Sequence, residues 1–89
     1  MKIPVYSSRF KREYKLSRKR GFDIRKLKKI IVDLINEIPL PSHNKDHDLI
    51  GNYVDCRECH IQGDWLLIYK YNSENEIIFL RTGTHSDLF

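Results

Sequence analysis

Three histidines, a carboxylate and an arginine lie in the second half of the chain, where hairpin connections would gather them. His60 precedes a turn that leads into Asp64, and Arg81 precedes His85 by four residues. In three consecutive antiparallel strands, the end of the first, the start of the second and the end of the third lie side by side. His60, Asp64 and His85 should therefore meet with Arg81 at one end of a sheet, and His47 in a preceding loop could reach the same place.

These side chains are the types that metal-free cleavage of RNA requires. Imidazoles can take and give protons near neutral pH, and a guanidinium can bind a phosphate group. Trp65 and Phe89 could stack on bases, and Lys45 lies beside the loop histidine as a further contact for a substrate. We expect no metal and no cofactor, because the spacing matches no dedicated metal motif such as H-E-x-x-H. This inventory suits a small ribonuclease.

The segment from Cys56 to His60 reads C-x-x-C-H, the string that attaches c-type haem. We reject a haem site, because residues three apart in a strand point to opposite faces and the only methionine is Met1. The same parity argues against a shared zinc ion, a disulfide or a redox role for Cys56 and Cys59. Both are expected to be reduced thiols of a cytoplasmic protein.

The first half of the chain predicts an edge strand followed by two helices. Residues 2–6 alternate apolar side chains, and Pro4 favours an edge position. A basic helix over 9–19 follows a serine cap, and Gly21 can supply its left-handed exit. A second helix begins after Asp23 and ends before two prolines. Its apolar stripe has helical spacing and consists of Leu27, Ile30, Ile31, Leu34, Ile35 and Ile38.

Three strands are predicted after a polar loop over 39–51, which has neither helical nor strand periodicity. The strands cover 53–62, 65–71 and 76–82, and the second is nearly all apolar, which predicts a central strand buried on both faces. Gly83 is expected to open a turn after the third strand. The order β-α-α-β-β-β predicts an α+β fold with two helices on a mostly antiparallel four-stranded sheet.

Charge is distributed unevenly along the chain. The net charge is +4, yet residues 1–30 hold twelve lysines and arginines against two carboxylates, and residues 31–89 have a net charge of −6. A cationic first third is either a solvated helix surface or a surface that collects RNA, ribosome or an acidic protein. Without a long apolar run or an apolar signal region, we expect one cytoplasmic domain over residues 1–89 and no membrane association.

Four separated segments resemble the YafQ branch of the RelE-type toxins, which belong to bacterial type II toxin–antitoxin systems. They are Lys45-Asp46-His47, Arg57-Glu58-Cys59-His60, Asp64-Trp65-Leu66-Leu67-Ile68-Tyr69-Lys70 and Arg81-Thr82-Gly83-Thr84-His85-Ser86-Asp87-Leu88-Phe89. The resemblance covers the whole chain and implies a RelE-like fold. It implies functional roles for His47, His60, Asp64, Trp65, Arg81, His85 and Phe89.

The resemblance also implies an activity and partners. Members of the family are endoribonucleases that cut mRNA, in many cases in the ribosomal A site, and thereby inhibit translation. A cognate antitoxin, DinJ-like or related, is expected to neutralise the chain, and the complex is expected to bind operator DNA through the antitoxin.

The residues support a hypothesis for the reaction. His85 is the general acid that protonates the departing 5′-oxygen, and His60 or His47 is the base that takes the proton from the ribose 2′-hydroxyl. Asp64 orients the imidazole beside it, and Arg81 binds the nonbridging oxygens of the phosphate.

Other functions are compatible with the same sequence. The basic helices and exposed aromatic residues would suffice for a non-catalytic RNA- or ribosome-binding module. A protein that binds only an acidic antitoxin-like chain is a further alternative, as is an inactive homologue of the nuclease. The complete set of His47, His60, Arg81 and His85 argues against the inactive homologue.

Overall fold

A computed structural model describes all 89 residues as an α+β fold. The elements are β1 (Ile3–Tyr6), α1 (Ser8–Lys19), α2 (Ile24–Ile35), β2 (His47–Asp48), β3 (Arg57–Gln62), β4 (Trp65–Tyr71), β5 (Glu76–Thr84) and α3 (His85–Leu88). The strand order is β1-β5-β4-β3-β2, with β1 parallel to β5 and the other neighbours antiparallel. The predicted fold class is confirmed, although the sheet has five strands rather than four.

The fifth strand and a short third helix arise from segments that were predicted to be irregular. The loop after α2 contains a single 3-10 turn over Ser42–Asn44 and the two-residue strand β2. A second 3-10 turn, Gly51–Tyr53, precedes β3, so this strand begins four residues later than predicted. Elements this short carry no periodicity that a sequence pattern could reveal.

The predicted caps fix the helix starts. Ser7 Oγ accepts a hydrogen bond from the Phe10 amide at 2.9 Å and donates one to the Leu80 carbonyl at 2.8 Å, so the start of α1 is tied to β5. Asp23 accepts from the Arg25 amide at 3.2 Å and caps α2. Both bonds satisfy amides that a helix leaves unpaired at its first turn.

The second helix ends earlier than its apolar stripe predicts. It stops at Ile35, and Glu37 then takes a left-handed conformation with φ of 60°. Ile38, the last member of the predicted stripe, is consequently half exposed. The helix thus ends within the stripe, before either of the two prolines is reached.

The central strand β4 separates two apolar clusters. On the helix side, Trp65, Leu67 and Tyr69 pack against α1 and α2, whereas Leu66 and Ile68 face the other way. This second face carries no long helix. It is covered by the loop before β3 and by α3, which contribute Leu49, Tyr53, Cys56 and Leu88. A strand buried on both faces is what its continuous apolar sequence predicted.

Gly83 lies within β5 and does not open a turn, which corrects the prediction. A Cβ atom at this position would lie 2.9 Å from the Cβ of Asp87 and 3.3 Å from a methyl group of Leu88. The glycine therefore permits α3 to fold back closely over the strand that precedes it. The chain reverses one residue later, at Thr84.

No helix of this structure is both long enough and apolar enough to cross a membrane.

Candidate active site

The imidazole rings of His47, His60 and His85 lie together on one face of the sheet, beside strand β3. The pairing of His47 with Glu58, and of His60 with Leu66, places both histidines on the face opposite α1 and α2. The ring centres of His47 and His60 are 6.4 Å apart, and those of His60 and His85 are 6.1 Å apart. The structure thus brings together the three histidines that the sequence singled out, with His60 in the middle.

Asp64 holds His85. Its carboxylate hydrogen-bonds Nδ1 of the His85 ring and accepts the His85 backbone amide at 3.3 Å. This side-chain bond holds the pKa of Asp64 below its usual range, so the carboxylate stays ionised under physiological conditions. Because a carboxylate only accepts, the ring proton lies on Nδ1, and Nε2 of His85 is left for a substrate.

Glu58 is a site residue that sequence reasoning missed. Its side chain is buried, and Oε1 lies 3.5 Å from Nε2 of His47 and 3.7 Å from Nε2 of His60. The other ring nitrogens donate to carbonyls, His47 to Lys45 at 2.5 Å and His60 to Gly63 at 3.2 Å. The buried Glu58 carboxylate therefore faces two imidazoles, and it forms ion pairs with these rings when they are protonated. The signal was available, since Glu58 and His60 are two residues apart in one strand.

The short helix α3 carries His85, and two interactions fix it. Thr84 and Asp87 form a capping box, in which each side chain accepts from the other's backbone amide. Arg20 at the end of α1 donates to Asp87 at 2.7 Å. The bond to Arg20 holds the pKa of Asp87 well below its usual range. Helix α3 is thus attached to α1 as well as to β5.

The guanidinium of Arg81 is largely buried and is paired within the fold. Its Nε and Nη2 donate to the Glu13 carboxylate at 2.6–3.1 Å, and its Nη1 donates to the Tyr53 hydroxyl at 2.9 Å. The bonds to Glu13 raise the pKa of Arg81. This environment differs from the direct phosphate contact that we expected. It makes Arg81 a support for Tyr53 and for the last residues of the chain, whose Asp87 carbonyl it also contacts at 3.4 Å.

Replacing Arg81 with alanine is expected to destabilise the fold by about 1–3 kcal/mol, because the half-buried Glu13 carboxylate would lose its partner. Urea unfolding would measure this change. Glu13→Gln is the matched variant and should cost less, since the amide oxygen can still accept from the guanidinium. An Arg81→Ala protein with the wild-type unfolding midpoint would contradict the supporting role.

The two aromatic residues that we expected to stack on bases lie in different environments. Phe89 is 62% exposed, with its ring centre 5.9 Å from that of His85 and 5.4 Å from that of Tyr53. Trp65 is only 4% exposed and lies on the helix side, where its Nε1 donates to Thr82 Oγ1 at 3.0 Å. Phe89 can stack on a base. Trp65 is a core residue, which corrects its expected role as a base-stacking residue.

Lys45 lies at the rim of the site, next to His47. It is exposed and adopts a left-handed conformation with φ of 49° at the end of a 3-10 turn. Its carbonyl binds His47, so the residue contributes to the site through its backbone as well as through its charge.

Cys56 and Cys59 lie in the two different apolar clusters on opposite faces of the sheet, as predicted, although Cys56 precedes β3 and does not lie within the strand. Burial raises the pKa of both thiols. Neither cysteine approaches the histidine cluster as a reactive thiolate. No group of three or more His, Cys, Asp or Glu side chains has an arrangement that could hold a metal ion.

A polar groove of about 780 Å³ lies behind the β3–β4 hairpin. The start of α2 supplies Arg25, Lys26 and Lys29 to its wall, and the other wall includes His43 and His60. Asp23 and Asp33 pair with two of these cations and lower the net positive charge. The groove is therefore moderately cationic, and His60 is one of its lining residues.

The chain matches, over residues 2–89, the model of a family described as a bacterial toxin of type II toxin–antitoxin systems, YafQ. The mRNA interferase toxin YafQ of Escherichia coli strain K12 is 44% identical over 85 residues, which cover 94% of this chain and 91% of the relative.

Solved structures agree with this family match. The toxin chain of an E. coli DinJ–YafQ complex superposes with a TM-score of 0.92 at 41% identity, covering 100% of this chain and 99% of that one. A metal-bound toxin from Helicobacter pylori superposes with a TM-score of 0.91 at 40% identity, covering all of both chains.

Proposed function

We propose a mechanism for this chain on the premise that it belongs to the YafQ family of toxins from bacterial type II toxin–antitoxin systems. The chain is an endoribonuclease of the mRNA interferase kind, as its E. coli relatives are named. Its substrate is mRNA. The family match does not itself assign roles to these side chains, and we assign those roles from the geometry.

One observation carries the mechanism. On one face of the sheet, His85 is held by an ionised carboxylate while His60, 6.1 Å away, faces a different carboxylate, Glu58. Two imidazoles with separate anionic partners can serve as acid and base at the same phosphate. Phe89 beside His85 can hold a base of the RNA by stacking.

In the proposed reaction, Nε2 of His60 takes the proton from the ribose 2′-hydroxyl, and the freed oxygen attacks the adjacent phosphorus. The bond from phosphorus to the 5′-oxygen breaks, and Nε2 of His85 gives that oxygen its proton. The products are a 2′,3′-cyclic phosphate and a 5′-hydroxyl end. His60 is favoured as the base because its ring adjoins that of His85, whereas His47 adjoins only His60.

The two carboxylates of the site, Asp64 and Glu58, stabilise the positive charge that an imidazole has while it is protonated. Asp64 stabilises His85 in its protonated form, which is the form that an acid requires. Glu58 stabilises the imidazolium that forms when His60 takes its proton. His47 shares Glu58 and, with the exposed Lys45, provides positive charge at the rim of the site for the phosphate. Arg81 acts as a positioning residue, because it holds Tyr53 against Phe89.

We further propose that cleavage takes place on translating ribosomes, in the A site, and in the cytoplasm. The basic surface of α1 and the start of α2 would bind ribosomal RNA or an acidic antitoxin chain. A DinJ-like antitoxin is the expected partner, since the E. coli relative was solved in a DinJ–YafQ complex. Binding of operator DNA is assigned to the antitoxin.

The rate of cleavage is expected to show a bell-shaped dependence on pH with its maximum near neutrality. One imidazole must be unprotonated to act as the base, and the other must be protonated to act as the acid. Asp64 does not cause the fall in rate on the acidic side of the profile. Its pKa lies below the usual carboxyl range, so its carboxylate becomes protonated only at a pH below that range. In Asp64→Asn the rate at the optimum should fall, since Nδ1 of His85 loses the carboxylate that orients its ring. Single-turnover rates between pH 5 and 9 would test this; a flat wild-type profile would contradict the two-imidazole mechanism.

Cleavage in a purified translation system tests the function directly. The chain is added to a defined mRNA with and without ribosomes, in the presence and absence of a chelator of transition metals, and the RNA ends are mapped. We expect new 2′,3′-cyclic phosphate ends within the translated region only when ribosomes are present, and no effect of the chelator. Loss of cleavage with the chelator would instead indicate a metal-dependent reaction.

A non-catalytic RNA-binding module is the second candidate, and the cations that line the groove, Arg25, Lys26 and Lys29, favour it. Retention of RNA that weakens steeply with salt, without any new RNA ends, would support that module. In that case Lys26→Glu should weaken binding, while His85→Ala should have no effect.

A further inference from the structure

We propose that Arg57, with Asp46 and Asp48, forms a clamp that positions His47 in the site. The clamp consists of these three residues, and its role rests on the proposed function of the site. His47 lies on the two-residue strand β2 at the edge of the sheet, where a ladder this short cannot fix a side chain by itself. Something outside the strand must hold it.

The clamp works through the alternation of neighbouring side chains. Arg57 of β3 donates from Nη1 to Asp48 at 2.6 Å and from Nε to Asp46 at 3.3 Å. Asp46 and Asp48 are the residues on either side of His47. Because successive side chains in an extended segment point to opposite faces, fixing both aspartates on the Arg57 side directs His47 to the other face. There its Nε2 lies 3.5 Å from Glu58.

The clamp is anchored in the core through Asp46. The hydroxyl of Tyr69 donates to the same Asp46 oxygen at 2.7 Å, and Tyr69 is fully buried on the central strand β4. Burial and the bond to Asp46 raise the pKa of Tyr69, so its hydroxyl remains a donor. Strand β2 is thus connected to β4 across β3 by side chains as well as by the backbone.

A second contact sets the rotation of the ring. Lys45, with φ of 49°, turns its carbonyl back toward His47 and accepts from Nδ1 at 2.5 Å. This bond keeps the proton on Nδ1 and directs Nε2 to Glu58. The left-handed turn is followed at once by Asp46, so the clamp also holds the turn in place.

NMR of the histidine rings tests the clamp without relying on activity. In protein labelled with ¹⁵N-histidine, Arg57→Met should move the His47 ring nitrogens toward the averaged shifts of a free imidazole. The signals of His60 and His85 should change little. Tyr69→Phe, which removes only the anchoring bond from the core, should give a smaller change in the same direction. Unchanged His47 signals in a folded Arg57→Met protein would overturn the clamp.

A double-mutant cycle connects the clamp to cleavage. Arg57→Met is expected to lower kcat by about 10-fold or more, because misplacement of a positioned group is costly, and to change KM less. In a His47→Ala background the same substitution should have no further effect. An equal loss in both backgrounds would show that Arg57 does not act through His47. If His47→Ala itself cleaves normally while the NMR shifts appear, the role of His47 in the proposed mechanism fails and the clamp stands.

Discussion

The His85→Ala variant is expected to cleave RNA at least ~10²-fold more slowly than the wild type while keeping its fold. The His85 side chain is about half exposed, and the bond from its ring to Asp64 joins two exposed groups. Helix α3 keeps its capping box and its bond to Arg20 without the ring. The loss should therefore appear in the chemical step, measured by single-turnover cleavage, and not in the urea unfolding curve.

A modified substrate separates a general acid from other roles of His85. When the 5′-oxygen at the cleavage site is replaced by sulfur, the leaving group needs no protonation. The deficit of His85→Ala should then shrink by most of its ~10²-fold, since the missing step is no longer required. Ser86→Ala, an exposed neighbour on the same helix, serves as the control and should cleave both substrates normally. A deficit of the same size on both substrates would assign His85 to substrate binding.

The meeting of His60, Asp64 and His85 could be predicted because it depends on connectivity alone, whereas His47 could only be placed in a loop within reach of them. Consecutive antiparallel strands place the end of β3, the start of β4 and the end of β5 together, whatever their sequences are. The same reasoning could have included Glu58, since strand parity puts it on the face of His60. The prediction considered only titratable residues near the ends of the strands, and Glu58 lies inside strand β3.

The environment of Arg81 could not be predicted, because its partner Glu13 is 68 residues away and on a helix. No local pattern indicates which face of α1 turns toward the edge of β5. Glu13 is, however, the only carboxylate of α1 among many cations, and such an isolated acidic residue is a useful signal of an internal pair. Trp65 shows a different error. Its aromatic type was given more weight than its position in the apolar strand β4, which predicts burial.

The contrast between the two carboxylates of the site has a physical reason. Asp64 lies in an exposed hairpin turn, where an anion is well hydrated and can hold His85 at little cost in stability. Glu58 is buried on the sheet, where a charge is expensive and remains favourable only with partners. A buried carboxylate of this kind is weak evidence for added stability, so its burial beside two imidazoles supports a role in the reaction.

Glu58→Gln is therefore expected to separate activity from stability. Glutamine keeps the shape of the side chain and removes the charge that faces His47 and His60. We expect cleavage to fall by about 10–10²-fold, because the imidazolium formed by the base loses its anionic partner. The free energy of unfolding should stay the same or rise, since a buried charge has been replaced by a neutral group.

Paired measurements on two glutamine variants decide the role of Glu58. Glu74→Gln, in the exposed hairpin between β4 and β5, removes the same charge far from the site and should change neither activity nor stability by much. If Glu58 were only structural, Glu58→Gln would lose stability, and activity would fall only as far as the unfolded fraction rises. A stable Glu58→Gln protein with slow cleavage, and with normal affinity for RNA, would place the deficit in proton transfer and make Glu58 the partner of the base.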